Sequence, residues 1–335
     1  MRNLSIEYLR LFYISLIVLL HILWTDYGGL NGVMNDYSNT AYIQLGLTNL
    51  TSLGVTGFIL ISGYFGVRLK MNRIISLWMQ TTIYSLMSIV LLYIFDETVG
   101  GGKLIHGIID SPLKLFDGWW FLSDYLLLMV LSPLINVGIQ NIGKKELGFI
   151  IIMVSFTMYG VEWFHAKNAS MPLLLFFNTY LIGRYIRQYP ISFLEKYKYI
   201  IFFSGVVLLV AEPMIIHFIG MDSKLKYVGG NFNILILVVD ISLLLICEKH
   251  KRIGKSNMFT RNVLAVYLIH TSGFGGWILH NQIINDESQF DIGYILLVVI
   301  MVVVACILIE ELRVKLSDKA EKVIANYIES KLKLF

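Results

Sequence analysis

Long apolar runs separated by short polar stretches fill this chain, at 4–24, 41–66, 74–95, 118–140, 147–164, 171–187, 198–219, 229–247, 260–283 and 292–312. Most are about 17–25 residues long, the length a helix needs to cross a hydrocarbon core of about 30 Å. The pattern predicts an all-α integral membrane protein, a bundle of about ten transmembrane helices. The runs 147–164, 171–187 and 260–283 are the least regular, and the last is interrupted by Asn262, Thr271 and Ser272. From Leu312 to Phe335 the pattern becomes that of an amphipathic interfacial helix, with Leu316, Ala320, Val323, Tyr327 and Leu332 on one side. The expected organisation is a transmembrane domain over 1–312 and a cytoplasmic tail helix over 313–335. No internal repeat, low-complexity tract or soluble-domain boundary interrupts it.

Composition removes the soluble alternatives. Of 335 residues, 56% are hydrophobic and 15% charged, and the mean hydropathy is +0.69. There are too few charges to cover a water-facing surface. The net charge of +4 is modest and gives no indication of nucleic-acid binding. Cys247 and Cys306 lie in apolar runs, as small buried residues do, which excludes a disulfide framework or a cysteine metal site; no other metal cluster is indicated. The first run has Arg10 near its start and no small-residue cleavage site after Trp24, so it is expected to be a retained span rather than a signal peptide.

Charge sets the orientation. With a cytoplasmic N-terminus and ten alternating spans, 22 of the 27 Lys and Arg residues fall inside, leaving Lys103, Lys114, Lys167, Lys224 and Lys226 outside. Outer loops carry the acids Asp26, Asp36, Asp96, Glu97, Asp110, Asp117, Asp222, Asp286, Glu287 and Asp291. Inner loops rich in Lys and Arg are the pattern that governs topology. Both termini are therefore expected in the cytoplasm, and the 96–117 loop outside.

Function is sought among polar groups at depths where lipid makes them costly. Arg10 and His21 are eleven residues apart, almost three whole turns, so they share one stripe of the first helix about 16 Å apart. Beyond the second run, Arg68, Lys70 and Arg73 stand at the cytoplasmic start of the third helix. The i, i+3 pair Lys70 and Arg73 presents charge on one face, suited to phosphate or to ordinary topology setting. Trp119, Trp120 and Asp124 open the fourth helix from the other side. Tryptophans there serve as interfacial anchors or, beside a carboxylate, as a platform for a sugar. Tyr267 and His270 share a face in the ninth run, with a satisfied core histidine as the plainer reading. Asp240 has no basic residue near it in sequence. It is expected to face the bundle and either pair with a buried cation such as Arg10 or stay protonated.

In order, these features resemble a known family. Arg10 followed after ten residues by His21, Phe58-Ile59-Leu60-Ile61-Ser62-Gly63-Tyr64-Phe65, Lys70-x-x-Arg73, Trp120-Phe121-Leu122 leading to Ser132-Pro133, and Tyr267-Leu268-Ile269-His270 together resemble the acyltransferase-3 family. That family comprises membrane enzymes that O-acetylate bacterial surface polysaccharides. The resemblance covers essentially the whole chain, and because the chain ends soon after the tenth run it implies the stand-alone form. It implies transfer of an acyl group, usually acetyl, from cytoplasmic acyl-CoA to a sugar hydroxyl of a capsular polysaccharide or exopolysaccharide. Acetyl-CoA is then a donor substrate, with no permanently bound cofactor and no metal. The acceptor is a polysaccharide or lipid-linked sugar, the setting is a multi-pass protein of the bacterial cytoplasmic membrane, and the polysaccharide assembly machinery is a further partner. The implied catalytic residues are His21 and Arg10. His21 acts as general base or covalent acyl carrier, and Arg10 sits near the thioester. Lys70, Arg73 and Arg68 are implied to hold the acyl-CoA, and Trp119, Trp120, Asp124, Tyr267 and His270 the acceptor.

Two other classes compete. A transporter or flippase for a polysaccharide precursor would use Asp240 and Glu212 as an ion or proton path. A structural scaffold of an assembly complex would leave Arg10 and His21 inert. Turnover of acyl-CoA separates the enzyme from both.

Overall fold

The computed structural model describes residues 2–26, 39–160, 172–222, 225, 233–255, 257–283 and 292–332. Of the residues read for charge above, Asp36, Lys167, Lys224, Lys226, Asp286, Glu287 and Asp291 lie outside the described residues. The helices in chain order are α1 (Leu4–Asp26), α2 (Asn39–Thr51), α3 (Leu53–Phe65), α4 (Met71–Phe95), α5 (Gly101–Asp110), α6 (Lys114–Asp117), α7 (Trp120–Asn141), α8 (Lys144–Ser155), α9 (Pro172–Gln188), α10 (Ser192–Phe218), α11 (Ile234–Lys249), α12 (Met258–Arg261), α13 (Val263–His270), α14 (Gly273–Ile278) and α15 (Ile292–Leu332). Among the described residues the strands are two-residue pieces, β1 (Arg2–Asn3) antiparallel to β2 (Ile253–Gly254), with Arg2 opposite Gly254.

Helix dominates because backbone polar groups in lipid must be satisfied within the segment itself. Among the described residues, six stretches are long and apolar enough to cross a membrane: 4–23, 42–65, 71–95, 120–141, 192–218 and 293–317. The pair of α13 with α14 and its π-helical extension to Ile283 is bent by 68° and adds a seventh if taken as one span. The bend falls at Thr271-Ser272, the polar interruption visible in the sequence. Three further apolar helices, α8, α9 and α11, have 12, 17 and 16 described residues, and α8 runs on as a π-helical turn, Phe156–Gly160. α15 is continuous for 41 residues, so the tail helix expected from Leu312 onward extends the last span without a break. Its predicted apolar stripe is exposed, with Leu316 at 78% and Val323 at 69%.

The chain divides into two compact units, residues 1–67 with 132–260 and residues 68–131 with 261–335. The boundary falls inside α7, beside Pro133. A proline there lacks the amide that would complete the helical ladder.

In the first unit, α3 packs against α1, α9 and α11. Small residues let the backbones touch: a Cβ on Gly63 would lie 2.4 Å from the Tyr180 carbonyl oxygen, and one on Gly183 2.6 Å from that of Leu60. Against α1, the Tyr13 ring occupies the space that a side chain on Gly57 would fill, at 2.2 Å. Helix ends gather at two poles. At one, Asn3 donates to Glu248 (2.9 Å), Ser5 to the His250 carbonyl (2.6 Å), and Arg187 lies over the Tyr64 ring (5.0 Å). At the other, Asn49 and Asn233 both donate to Oε2 of Glu212, and the Tyr42 and His217 rings meet. Accordingly α1 and α10 run opposite to α3, α9 and α11.

In the second unit, the stretch expected as a plain outer loop folds back along α4. Gly107 of α5 rests on Ile89, Ser111 meets Ser85 (3.0 Å), and the Trp78 indole donates to the Pro112 carbonyl (2.8 Å). At the far end of α4, the hydroxyl and amide of Thr98 donate to Asp96 and hold its carboxyl below the usual carboxylate range. α15 is tied to α4 by ionic and hydrogen bonds. Glu310 accepts from Gln80 (3.1 Å), from the Tyr84 hydroxyl and from both Nε (2.7 Å) and Nη2 (2.9 Å) of Arg313, which in turn pairs with Glu321.

Candidate functional site

Arg10 and His21 both lie in the uninterrupted helix α1, which preserves their shared stripe. Arg10 is not an isolated cation. Its guanidinium pairs with Glu7 at 2.8 Å, and the Glu7 side chain is nearly sealed from solvent while that of Arg10 is one-third exposed. Glu7 is the residue the sequence reading missed, and its i, i+3 spacing ahead of Arg10 was the available signal. His21 is half-buried on the same helix. Asp240, expected either to pair with a cation such as Arg10 or to stay protonated, receives the Thr56 hydroxyl.

Arg68, Lys70 and Arg73 belong to the second unit and are exposed where α4 begins. Lys70 is the N-cap in extended geometry, and its carbonyl accepts the Arg73 amide at 3.0 Å. The first turn of α4 contains no acidic residue. None of the three cations forms an ion pair among the described residues. Free helix N–H groups, the positive end of the macrodipole and three basic side chains thus coincide, which favours an anion.

Also in the second unit, α13 docks on the start of α7. The buried Trp119 indole donates to the Thr271 hydroxyl at 3.0 Å, and that hydroxyl donates to the Tyr267 carbonyl at 2.5 Å. The Phe121 and Tyr267 rings meet edge to face at 5.7 Å, and Tyr267 meets His270 likewise at 6.3 Å. His270 is 3% exposed, and its Nδ1 lies 2.5 Å from the Val266 carbonyl oxygen. A carbonyl only accepts, so the neutral ring carries its proton on Nδ1 and its lone pair on Nε2. Trp119, Tyr267 and His270 therefore belong to one cluster, with Phe121 and Thr271, unanticipated from sequence, as its joints. Trp120 turns outward at 45% exposure. Asp124 is half-buried one turn further along α7 and has no hydrogen-bond or ion-pair partner among the described residues.

Among the described residues, no group of His, Cys, Asp or Glu has the arrangement of a metal site. The family model for the acyltransferase domain matches residues 3–311, nearly the whole chain. The chain belongs to the acyltransferase-3 family. No curated protein and no solved structure matches it. As an acyltransferase-3 protein it is a multi-pass membrane acyltransferase, and the matched range reaches into both units and includes every candidate residue. Membership favours acyl transfer over the transport reading of Asp240 and Glu212. In this acyltransferase-3 chain those two carboxyls are held by neutral groups, Asp240 by Thr56 and Glu212 by Asn49 and Asn233.

Proposed function

We propose that this acyltransferase moves an acetyl group from cytoplasmic acyl-CoA to a hydroxyl of a cell-surface polysaccharide or exopolysaccharide sugar, in the bacterial cytoplasmic membrane. The observation that carries the reading is the start of α4, where Arg68, Lys70 and Arg73 stand exposed without acidic partners among the described residues. Coenzyme A is a polyphosphate ligand, and arginine forks with a lysine point charge suit it. Trp119, Trp120, Asp124, Tyr267 and His270 would receive the sugar, whose C–H faces stack on rings while its hydroxyls hydrogen-bond. In the reaction, the acceptor oxygen attacks the thioester carbonyl while His21 takes its proton. The C–S bond then breaks, and the departing coenzyme A thiolate takes up that proton.

The topology proposed with it has ten spans and both termini in the cytoplasm. The opposed running of α1 and α10 against α3, α9 and α11 supports this alternation, as does the concentration of Lys and Arg near one pole of the first unit. The test is acetyl-CoA turnover by the purified protein in nanodiscs, with polysaccharide from the host as acceptor. Free thiol should appear together with acetylated sugar. Failure to release thiol at saturating donor and acceptor would overturn the proposal. Mass analysis of the surface polysaccharide with and without the gene identifies the acceptor by loss of one acetyl group per repeat.

A further inference from the structure

The end of α9 carries a second pair of cations with no assigned role, Arg184 and Arg187, one helical turn apart. The α3–α9 contact at Gly63 and Gly183 brings them against the turn Tyr64-Phe65-Gly66-Val67. That turn is rigidly held. Gly66 leaves the helix at φ 79°, a conformation that favours glycine, and its amide returns to the Ser62 and Gly63 carbonyls. The Tyr180 hydroxyl accepts the Val67 amide (3.2 Å) and donates to Asn136 (2.7 Å), whose own amide donates to the Val67 carbonyl (2.9 Å).

Both guanidinium groups are positioned on this frame. Nη1 of Arg184 lies 3.0 Å from where a Cβ on Gly66 would stand. Arg187 lies over the Tyr64 ring with its Cζ 5.0 Å from the centroid, and its Nη1 donates to the Tyr64 hydroxyl at 3.1 Å. Neither forms an ion pair among the described residues, and several acids of the first unit have other partners. Glu7 pairs with Arg10, Glu195 with Lys198, and Glu248 with Asn3 and Lys251. Moreover, Nε of Arg184 is sealed from solvent and has no acceptor among the described residues. An arginine that only set topology would keep its donors in water. A buried donor without an acceptor is costly, so this arrangement calls for an anion that both guanidinium forks can reach.

We propose that Arg184 and Arg187 form a phosphate-binding site at the junction of α3 and α9. Its ligand is a phosphate ester, supplied either by coenzyme A or by the headgroup of an anionic phospholipid. The first source rests on the acyl-CoA reading above, whereas the site itself does not.

The full-length protein in phosphatidylcholine nanodiscs is titrated with coenzyme A and, separately, compared for thermal midpoint in phosphatidylglycerol nanodiscs. Arg187→Gln, an exposed position expected to fold, and Arg184→Gln are measured beside the parent. With coenzyme A as ligand, each variant should bind it about 10- to 100-fold more weakly, the loss of one charge-assisted hydrogen-bonding group. With a lipid as ligand, coenzyme A affinity stays at the parent value and the stabilisation by phosphatidylglycerol disappears in the variants. Arg187→Lys, which keeps the charge without the fork or the stacking on Tyr64, should fall between parent and Gln variant. Parent-like coenzyme A binding together with parent-like phosphatidylglycerol stabilisation in Arg187→Gln would overturn the site. A parent protein that binds no coenzyme A but loses lipid stabilisation on mutation would leave the site standing and remove the acyl-CoA reading alone.

Discussion

The Thr56 hydroxyl donates to Oδ2 of Asp240, tying the first turn of α3 to the middle of α11 at a point where both residues are fully buried. The Tyr13 hydroxyl of α1 bears on the same carboxyl, yet neither it nor Oδ1 completes a hydrogen bond of ordinary geometry among the described residues. Asp240→Asn keeps an oxygen for Thr56 and should leave the protein abundant. Asp240→Leu strands that hydroxyl and should cost about 1–3 kcal/mol, seen as a lower thermal midpoint in detergent. Equal midpoints for parent and Leu variant would remove Asp240 from any role in holding α3 to α11.

For His21, the proposed base, Ala should abolish transfer while the protein remains inserted and abundant. Loss of a general base costs about a hundredfold to ten-thousandfold in rate. Transfer within a few-fold of the parent would sink the assignment and make His270 the next candidate.

At His270, the bond from Nδ1 to the Val266 carbonyl fixes the ring and presents Nε2. If that nitrogen meets the acceptor, His270→Ala should raise the acceptor KM by about tenfold, the worth of one hydrogen bond, and leave the donor KM unchanged. A change confined to the donor KM would place the residue elsewhere in the reaction.

Arg313 is bonded to both Glu310 and Glu321, and Glu310 also takes the Tyr84 hydroxyl. Removing one partner of a buried ion pair leaves the other uncompensated and costs about 3–5 kcal/mol. Arg313→Gln should therefore lower abundance and thermal midpoint more than substitution of the exposed Arg73, whose loss should raise only the acyl-CoA concentration required.

Orientation is tested by cysteines introduced at Lys103 and Lys255, both exposed. An impermeant thiol reagent should label the first in intact cells and the second only after permeabilisation. The reverse pattern would invert the proposed topology.

Membrane class, helical content and the family were legible in the chain because each depends on local properties: run length, the scarcity of charge, and motifs such as Trp120-Phe121-Leu122 and Tyr267-Leu268-Ile269-His270 that survive in one dimension. The i, i+3 and i, i+11 relations on α1 and α4 follow from helical period alone. Only the tertiary structure decided which of these groups meet. Asp240, expected to meet a cation such as Arg10 or to stay protonated, found Thr56, 184 positions away, and Arg10 was held by Glu7. The stretch 101–117 returned along α4, and the Tyr267–His270 face met Phe121 directly and Trp119 through Thr271. The reason is physical. Hydrophobicity dictates that a segment enters the bilayer, but it is nearly the same on every side of such a helix. Neighbours are chosen instead by close backbone approach at residues such as Gly63 and Gly183 and by individual hydrogen bonds, which no periodicity announces.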